Sequence, residues 1–326
     1  MNSGQRNRIK HLVFGLFLAT ICHSIVLAQS QFAEAEIEFA EKWLPQALNS
    51  ESIDEVMVGA LIAESHDFSL NSYLFYARAL ELGLSSNDLL HGLVAHCSEA
   101  RLTHNCDGLA IIAEFRALNP DNALTAAYAA FYHMENGDGA KALAELTAAL
   151  NIKSFDDRQI SRSFSVRIKL REIGYPQNRL IFMSTLYSMD NMPAGLYQAL
   201  INICNEQGLE SQDWRGAGIG FGNLMEDFGN TFIAVRVGQV IQSYMYGFSE
   251  SDALVMQSVD RRRAYTHRWR ELAAERLDFV RTPIDAPEIF YDDWLNHNEM
   301  YAMNQALGRL DGKRVRYVMK SFSIQI

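Results

Sequence analysis

The chain has 326 residues, a formal net charge of −10 and 48% apolar side chains, so it can bury a sizeable core. Residues 29–150 hold 18 acidic and 5 basic side chains, whereas residues 151–326 hold 21 of each. Phosphate binding needs a basic surface, so this distribution argues against a nucleic acid partner. The acidic half would either attract a basic protein or peptide or serve only as a solvated face.

The first residues have the pattern of a secretory signal peptide. A basic leader containing Arg6, Arg8 and Lys10 is followed by an apolar run from residue 12 to residue 22. We predict cleavage after Ala28, which makes the protein exported, periplasmic or secreted. The alternative is an uncleaved anchor, although the apolar stretch is short for a membrane span. After cleavage we expect no transmembrane segment.

Three regions are predicted from the leader and the charge asymmetry. Residues 1–28 form the signal peptide, and residues 29–155 form an acidic helical region. Residues 156–326 form a charge-neutral helical region. Its tail, residues 313–326, has no predicted structure, although the segment from Val315 to Ile326 is mildly strand-like.

Removal of the leader would leave three cysteines, Cys97, Cys106 and Cys204. In an oxidising compartment nearby cysteines tend to pair, so we predict a disulfide between Cys97 and Cys106. Closing such a short loop would stabilise the fold by roughly 2–3 kcal/mol in the chain-entropy model. Cys204 lies on an apolar helical stripe, which predicts a buried thiol.

Two histidines, His96 and His104, flank the paired cysteines and raise the possibility of a zinc site. Their spacing matches no common zinc pattern, so the disulfide is favoured over a metal site and over free thiols. Motifs typical of serine hydrolases, metalloproteases, P-loop enzymes and c-type haem proteins are absent from the sequence. We therefore expect no cofactor and no metal, and an enzyme is the less favoured class.

Apolar residues recur at three- and four-residue spacing through most of the chain, which predicts an all-α fold. Short separators imply antiparallel neighbours. The predicted helices span residues 31–48, 53–65, 70–82, 86–102, 107–118, 122–136, 139–151, 157–173, 177–188, 193–207, 210–227, 230–247, 250–279 and 288–309.

Residues 120–151 carry a more specific pattern. Gly137 and Asp138 stand at a turn between two helical segments that present small side chains to each other. The matching positions are Pro120, Asn122 and Ala123 at the start and Ala142, Leu146, Ala149 and Leu150 in the second helix. In this pattern the segment resembles a tetratricopeptide repeat. The resemblance implies stacked antiparallel helix pairs in an α-solenoid or right-handed superhelix.

The resemblance is limited to about a tenth of the chain. Ala126, His133 and Ser154 depart from the residues that the family prefers at those positions. A weaker echo begins at Met225 and leads into the helix that starts near residue 230. We interpret it as degenerate repetition.

Four glycines alternate at positions 216, 218, 220 and 222. A phosphate-binding loop would need a strand before them and a helix after them, and neither the strand nor a P-loop lysine is present. We favour a glycine-lined helix face that packs closely against a neighbour.

The predicted helix at residues 250–279 contains a basic cluster formed by Arg261, Arg262, Arg263 and Arg268. It could bind an anion or an acidic partner. The alternative is an exposed face whose arginines pair with carboxylates such as Glu271.

A second candidate is the aromatic and acidic patch of Asp292, Asp293, Trp294 and Glu299. Sugar or cation binding is conceivable there, although a helix with one aromatic core face and one acidic surface face explains the same pattern. Asp156 and Asp157 are predicted to cap a helix.

The favoured function is an exported helical-repeat module that binds a protein or peptide or acts as a scaffold in the cell envelope. The alternative is an envelope hydrolase or transferase with a dispersed acidic site near Asp292, Asp293 and Glu299. A purely structural module is the third possibility.

Overall fold

The computed structural model describes residues 34–65, 72–83, 86–98, 107–157, 172–173, 195–209, 211–247, 252–276, 289, 293 and 297–310. Within these ranges the chain is all-α, and its only β feature is an isolated parallel bridge between Phe155 and Gly229. The helices are α1 Glu34–Leu48, α2 Ile53–Ser65, α3 Ser72–Glu81, α4 Asn87–Ser98, α5 Gly108–Leu118, α6 Leu124–Glu135, α7 Gly139–Ala149, α8 residues 195–209, α9 Gln212–Phe228, α10 Phe232–Tyr246, α11 Ala253–Arg276 and α12 Glu299–Leu310.

The prediction of an all-α chain is confirmed, and the periodicity placed most helices within a few residues of their observed ends. The predicted helices at 157–173 and 177–188 lie almost entirely outside the described residues, as do the signal peptide and the tail at 313–326. Of the predicted helix at 288–309, the structure describes residues 289, 293 and 297–309. The helix observed there is α12, Glu299–Leu310. Among the described helices, none is both long enough and apolar enough to cross a membrane.

Short polar side chains set several helix starts. Asp107 accepts a hydrogen bond from the Ala110 N–H at the start of α5, and Asp138 accepts one from the Lys141 N–H at the start of α7. Thr231 does the same for α10 through the Ala234 N–H. Each contact satisfies a backbone donor that the first helical turn leaves without an internal partner. Gly137 has a φ of +76° and ends the turn that follows α6.

Helix α4 packs against neighbours on two sides. Its Leu89 and Leu93 belong to a hydrophobic cluster that also contains α1, α2 and α3. Its Leu90 and Val94 belong to a second, larger cluster that extends to α10. Contacts join the consecutive helices from α1 to α7 and from α9 to α12, and contacts also join α1 with α3, α4 with α6 and α7 with α9. This is the packing of stacked helix pairs rather than of separate hairpins.

The segment that resembles a tetratricopeptide repeat forms the hairpin α6–α7. The predicted turn is correct, because α6 ends at Glu135 and α7 begins at Gly139. Ala130, Ala142 and Leu146 are fully buried between the helices. Small side chains therefore allow the two helix axes to approach, as the sequence predicted.

The alternating glycines lie within α9, and three of the four pack closely against neighbouring residues, which confirms the packing interpretation for those three. The closest contact joins Gly222 to Gly238 of α10: a Cβ built at Gly238 would lie 2.5 Å from the Gly222 carbonyl oxygen. Gly220 lies against Leu150, and Gly218 against Met245 and Cys204. Gly216 faces open space. Backbone-to-backbone contact of α9 and α10 therefore requires glycine on both helices at the crossing point.

This contact predicts opposite effects for two Gly-to-Ala substitutions in neighbouring helices. Gly238→Ala should destabilise the fold by about 1–3 kcal/mol, because the helices must separate to admit a methyl group. Gly216→Ala should stabilise it by up to about 1 kcal/mol, since alanine favours the helix and meets nothing within 4 Å. Urea unfolding of both variants measures the difference. Equal effects would contradict the crossing geometry.

Candidate partner-binding surface

The C-terminal helices α9, α10 and α11 share a partly buried ion pair. Arg262 of α11 donates two hydrogen bonds to the Glu226 carboxylate of α9, at 2.7 and 2.9 Å. Gln239 and Gln242 of α10 donate to the same carboxylate at 3.1 and 2.8 Å. Burial raises the pKa of Glu226, but these hydrogen bonds outweigh it and hold the pKa below its ordinary value. Glu226 is therefore a fixed anion shared by three helices.

This ion pair separates the arginines of the predicted basic cluster into different roles. Arg262 is committed to Glu226, and its side chain is only 26% exposed. Arg261 and Arg268 are exposed on the outer side of α11. Arg263 is partly exposed and lies 3.7 Å from Asp260. The four predicted residues therefore do not form one surface, and Arg262 has a structural contact.

A different set of arginines lines one rim of the seam between α10 and α11. Arg263 and Arg270 are seven residues apart and share one face of α11. Arg236, one turn beyond Phe232 on α10, crosses the seam and donates a hydrogen bond to the Arg263 carbonyl oxygen at 2.5 Å. The Arg270 guanidinium lies 4.6 Å from the centre of the Phe232 ring. We call Arg236, Arg263 and Arg270 the seam arginines.

The predicted aromatic and acidic patch is distributed among different contacts. Asp292 and Trp294 lie outside the described residues. Asp293 accepts a hydrogen bond from Arg309 at 2.5 Å. Glu299 is only 6% exposed and accepts a hydrogen bond from the Phe232 N–H at 2.6 Å. Glu299 therefore stabilises the first turn of α10 from a buried position, where a carboxylate is favoured by the helix dipole.

Beside Glu299, a buried polar junction joins the segment after α7 to α8 and α10. Asp157 is fully buried and accepts hydrogen bonds from the hydroxyl groups of Tyr197 at 2.7 Å and Thr231 at 2.5 Å. Burial, followed by the charge and hydrogen bond of Asp157, raises the pKa of Tyr197 well above its ordinary value, so the hydroxyl remains a donor. Asn230 donates from its side chain to the Asp156 carboxylate. These contacts satisfy polar groups that would otherwise be costly to bury.

The cysteines occupy two environments. Cys97 is fully buried near the end of α4, whereas its predicted partner Cys106 lies outside the described residues. Cys204 is a buried free thiol, as predicted, and burial raises its pKa to about 12. His104 also lies outside the described residues. Across the described ranges, no group of three or more His, Cys, Asp or Glu side chains is arranged to hold a metal ion.

Sequence reasoning missed Arg236 and the central position of Asp157. Arg236 is an isolated basic residue in an apolar helix, and only the pairing of α10 with α11 brings it to Arg263 and Arg270. The only local signal for a role of Arg236 is its position one helical turn after Phe232. Asp157 meets Thr231 across 74 residues of sequence, a pairing without any local signature.

The ion pair predicts different consequences for adjacent arginines. Arg262→Gln should cost about 2 kcal/mol of unfolding free energy, because it leaves the largely buried Glu226 carboxylate without its cation. Arg261→Gln makes the same charge change at an exposed position and should cost less than about 0.5 kcal/mol. Chemical denaturation compares the two variants. A stable Arg262→Gln protein would contradict the structural role of the pair.

Glu299 predicts a pH-dependent contribution to stability. Burial raises its pKa above the ordinary value of 4.5, against the lowering effects of Arg270 and of the Phe232 N–H. The folded state therefore holds this proton more tightly than the unfolded state does. The resulting stabilisation is complete below pH 4.5 and is lost as pH rises through the raised pKa.

The variant Glu299→Gln keeps an acceptor for the Phe232 N–H and removes the titration. It should be at least as stable as the wild type at pH 7.5. As the pH falls towards 4.5, the unfolding free energy of the wild type should rise relative to that of the variant. Urea unfolding of both proteins across this range gives the difference. A difference that does not change with pH would show that Glu299 has an ordinary pKa.

No protein-family model matches this chain, and no curated protein or solved structure is significantly similar to it.

Proposed function

We propose that this protein is an exported, non-enzymatic helical-repeat module that binds a protein or peptide segment, or acts as a scaffold, in the cell envelope. The observation that carries the proposal is the packing of α4, whose two sides belong to successive hydrophobic clusters. Stacking of this kind produces an extended surface made from several helices, which suits the recognition of an extended segment. The tetratricopeptide resemblance of α6–α7 supports the same architecture.

The distribution of surface charge supports a basic partner for the N-terminal helices. Glu38, Glu41, Asp54 and Glu55 are exposed on α1 and α2, and Lys42 is the only lysine or arginine in these two helices. Such a surface would increase the rate at which a basic segment meets the protein and would be sensitive to salt. Its electrostatic character makes nucleic acid an unsuitable partner there.

The described contacts of the acidic residues do not favour the alternative of a hydrolase or transferase. Asp293 is paired with Arg309, and Glu299 is buried against the start of α10. A general acid or base must reach its substrate, whereas the Glu299 carboxylate already accepts a backbone hydrogen bond in the core. We therefore base the proposal on the helical surface.

Export and binding can be tested in one preparation. The chain is expressed with its leader, the envelope fraction is isolated, and the N-terminal residue is determined by mass spectrometry. Gln29 as the first residue supports signal cleavage after Ala28. Binding is then measured by chemical cross-linking in that fraction, with mass spectrometry of both cross-linked sites.

Reproducible cross-links from one partner to two or more helices would support a scaffold surface. The matched control is Gly238→Ala, which disturbs the helix stack without changing any charge. A protein retained in the cytoplasm, or an exported protein without reproducible cross-links, would contradict the proposal.

We also propose that Cys97 and Cys106 form a disulfide in the exported protein. The ends of α4 and α5 lie close together, because a Cβ built at Gly108 would be 2.8 Å from the Cys97 carbonyl oxygen. Cys106 precedes Gly108 by only two residues, a separation that spans at most about 7 Å of chain. This proximity supports a disulfide between Cys97 of α4 and Cys106, which precedes α5.

The disulfide predicts a thiol count that uses Cys204 as an internal reference. Denatured but unreduced exported protein should be alkylated at Cys204 alone, and reduction should expose Cys97 and Cys106 as well. Native protein should react slowly even at Cys204, because its thiolate is disfavoured by burial. Alkylation of all three cysteines without reduction would exclude the bridge.

A further inference from the structure

The seam arginines concentrate positive charge that is not fully neutralised by carboxylates in the described part of the chain. Arg262, the neighbouring residue, has a buried carboxylate partner in Glu226. Arg236 is half-buried, and its hydrogen bond goes to the backbone carbonyl of Arg263 rather than to a carboxylate. In the described part of the chain no acidic side chain forms an ion pair with Arg236 or Arg270. Their guanidinium groups therefore retain donors that can bind an external anion.

The carboxylates nearest to these arginines are engaged elsewhere. Asp260 accepts a hydrogen bond from the Ser243 hydroxyl at 2.9 Å and lies at the longer distance of 3.7 Å from Arg263. Glu299 is close enough to Arg270 to feel its charge, but its carboxylate accepts the Phe232 N–H in the core. His267 on the same side of α11 pairs with Glu271 at 3.2 Å. An excess of positive charge therefore remains along the rim.

The electrostatic cost of this arrangement is visible at Arg236. Burial, followed by the charges of Arg263 and Arg270, lowers its pKa to about 10. Arg236 remains charged at neutral pH, so the repulsion persists in the folded protein. A bound anion would reverse the sign of the local interaction and stabilise all three guanidinium groups.

We propose that the rim of the α10–α11 seam is a binding site for a phosphoryl group, with Arg236 as its central ligand and Arg263 and Arg270 as flanking cations. The planar fork of a guanidinium matches two oxygens of a phosphoryl group. Arg236 is held in place by the Arg263 carbonyl oxygen, and Arg270 by the face of Phe232, so less side-chain entropy is lost on binding. This site does not depend on the proposed scaffold function.

Phosphoryl groups are preferred over carboxylates because of their charge and number of oxygens. A phosphate monoester is close to doubly charged at neutral pH and offers three acceptor oxygens, whereas a carboxylate offers two oxygens and one charge. Such a group can come from a soluble phosphate compound or from the headgroup of phosphatidic acid, which is also a phosphate monoester. Both sources present the same chemistry to the seam arginines.

The test uses the exported protein and four single substitutions to glutamine. Arg236→Gln and Arg270→Gln remove seam arginines, and Arg261→Gln and Arg268→Gln remove exposed arginines from the opposite side of the same helix. The probes are inorganic phosphate and glycerol phosphate, measured by calorimetry, and vesicles of phosphatidylcholine with or without phosphatidic acid, measured by co-sedimentation. Thermal unfolding of each variant shows that it is folded.

We expect the seam substitutions to weaken phosphoryl binding at least about tenfold, because each removes a charge-assisted hydrogen bond. The two control substitutions should change it by less than about twofold, since their charges lie on the opposite side of α11 and are screened by solvent. Binding of both soluble probes would identify a soluble ligand, and binding of phosphatidic acid vesicles alone would identify a headgroup. Arg270→Gln provides the result if Arg236→Gln does not fold.

Two outcomes would overturn the site. One is the absence of binding to every phosphoryl probe. The other is binding that Arg261→Gln and Arg268→Gln weaken as much as the seam substitutions do, which would indicate a diffuse attraction to total charge.

Discussion

The backbone contact between Gly222 and Gly238 determines the arrangement of the C-terminal helices. Because α9 and α10 touch there without intervening side chains, Glu226, one turn beyond Gly222, is buried beside Gln239 and Gln242. A buried carboxylate needs a cation, and Arg262 of α11 supplies it. This ion pair fixes the rotation of α11 about its own axis. That rotation places Arg263 and Arg270 on the seam and turns Arg261 and Arg268 towards solvent.

The sequence predicted those parts of the structure that depend on local patterns. Helix positions follow from the spacing of apolar residues, and the α6–α7 turn follows from Gly137 and Asp138. The packing role of the α9 glycines was also predictable, because the sequence before them lacks the strand that a phosphate-binding loop requires. Each of these inferences uses residues that are neighbours in the chain.

The roles of the charged residues were not predictable, because they are determined by packing between helices. Arg261, Arg262 and Arg263 are equivalent in the sequence, yet one is exposed, one neutralises Glu226 and one lies on the seam. Glu299 was grouped with Asp293 by proximity in the chain, but its carboxylate contacts α10. A single sequence predicts which face of a helix is apolar. It does not predict which other helix a polar residue will contact.

The junction around Phe155 and Gly229 has a consequence for the order in which the protein folds. The hairpins α6–α7 and α9–α10 join residues that are close in sequence, so their contacts require little loop closure. The junction instead joins Asp157 to Thr231 across 74 residues. Closing so long a loop carries a larger entropic cost, and contacts of high sequence separation slow folding. We therefore expect the two hairpins to form before the junction, which would be the late step that joins them into one core.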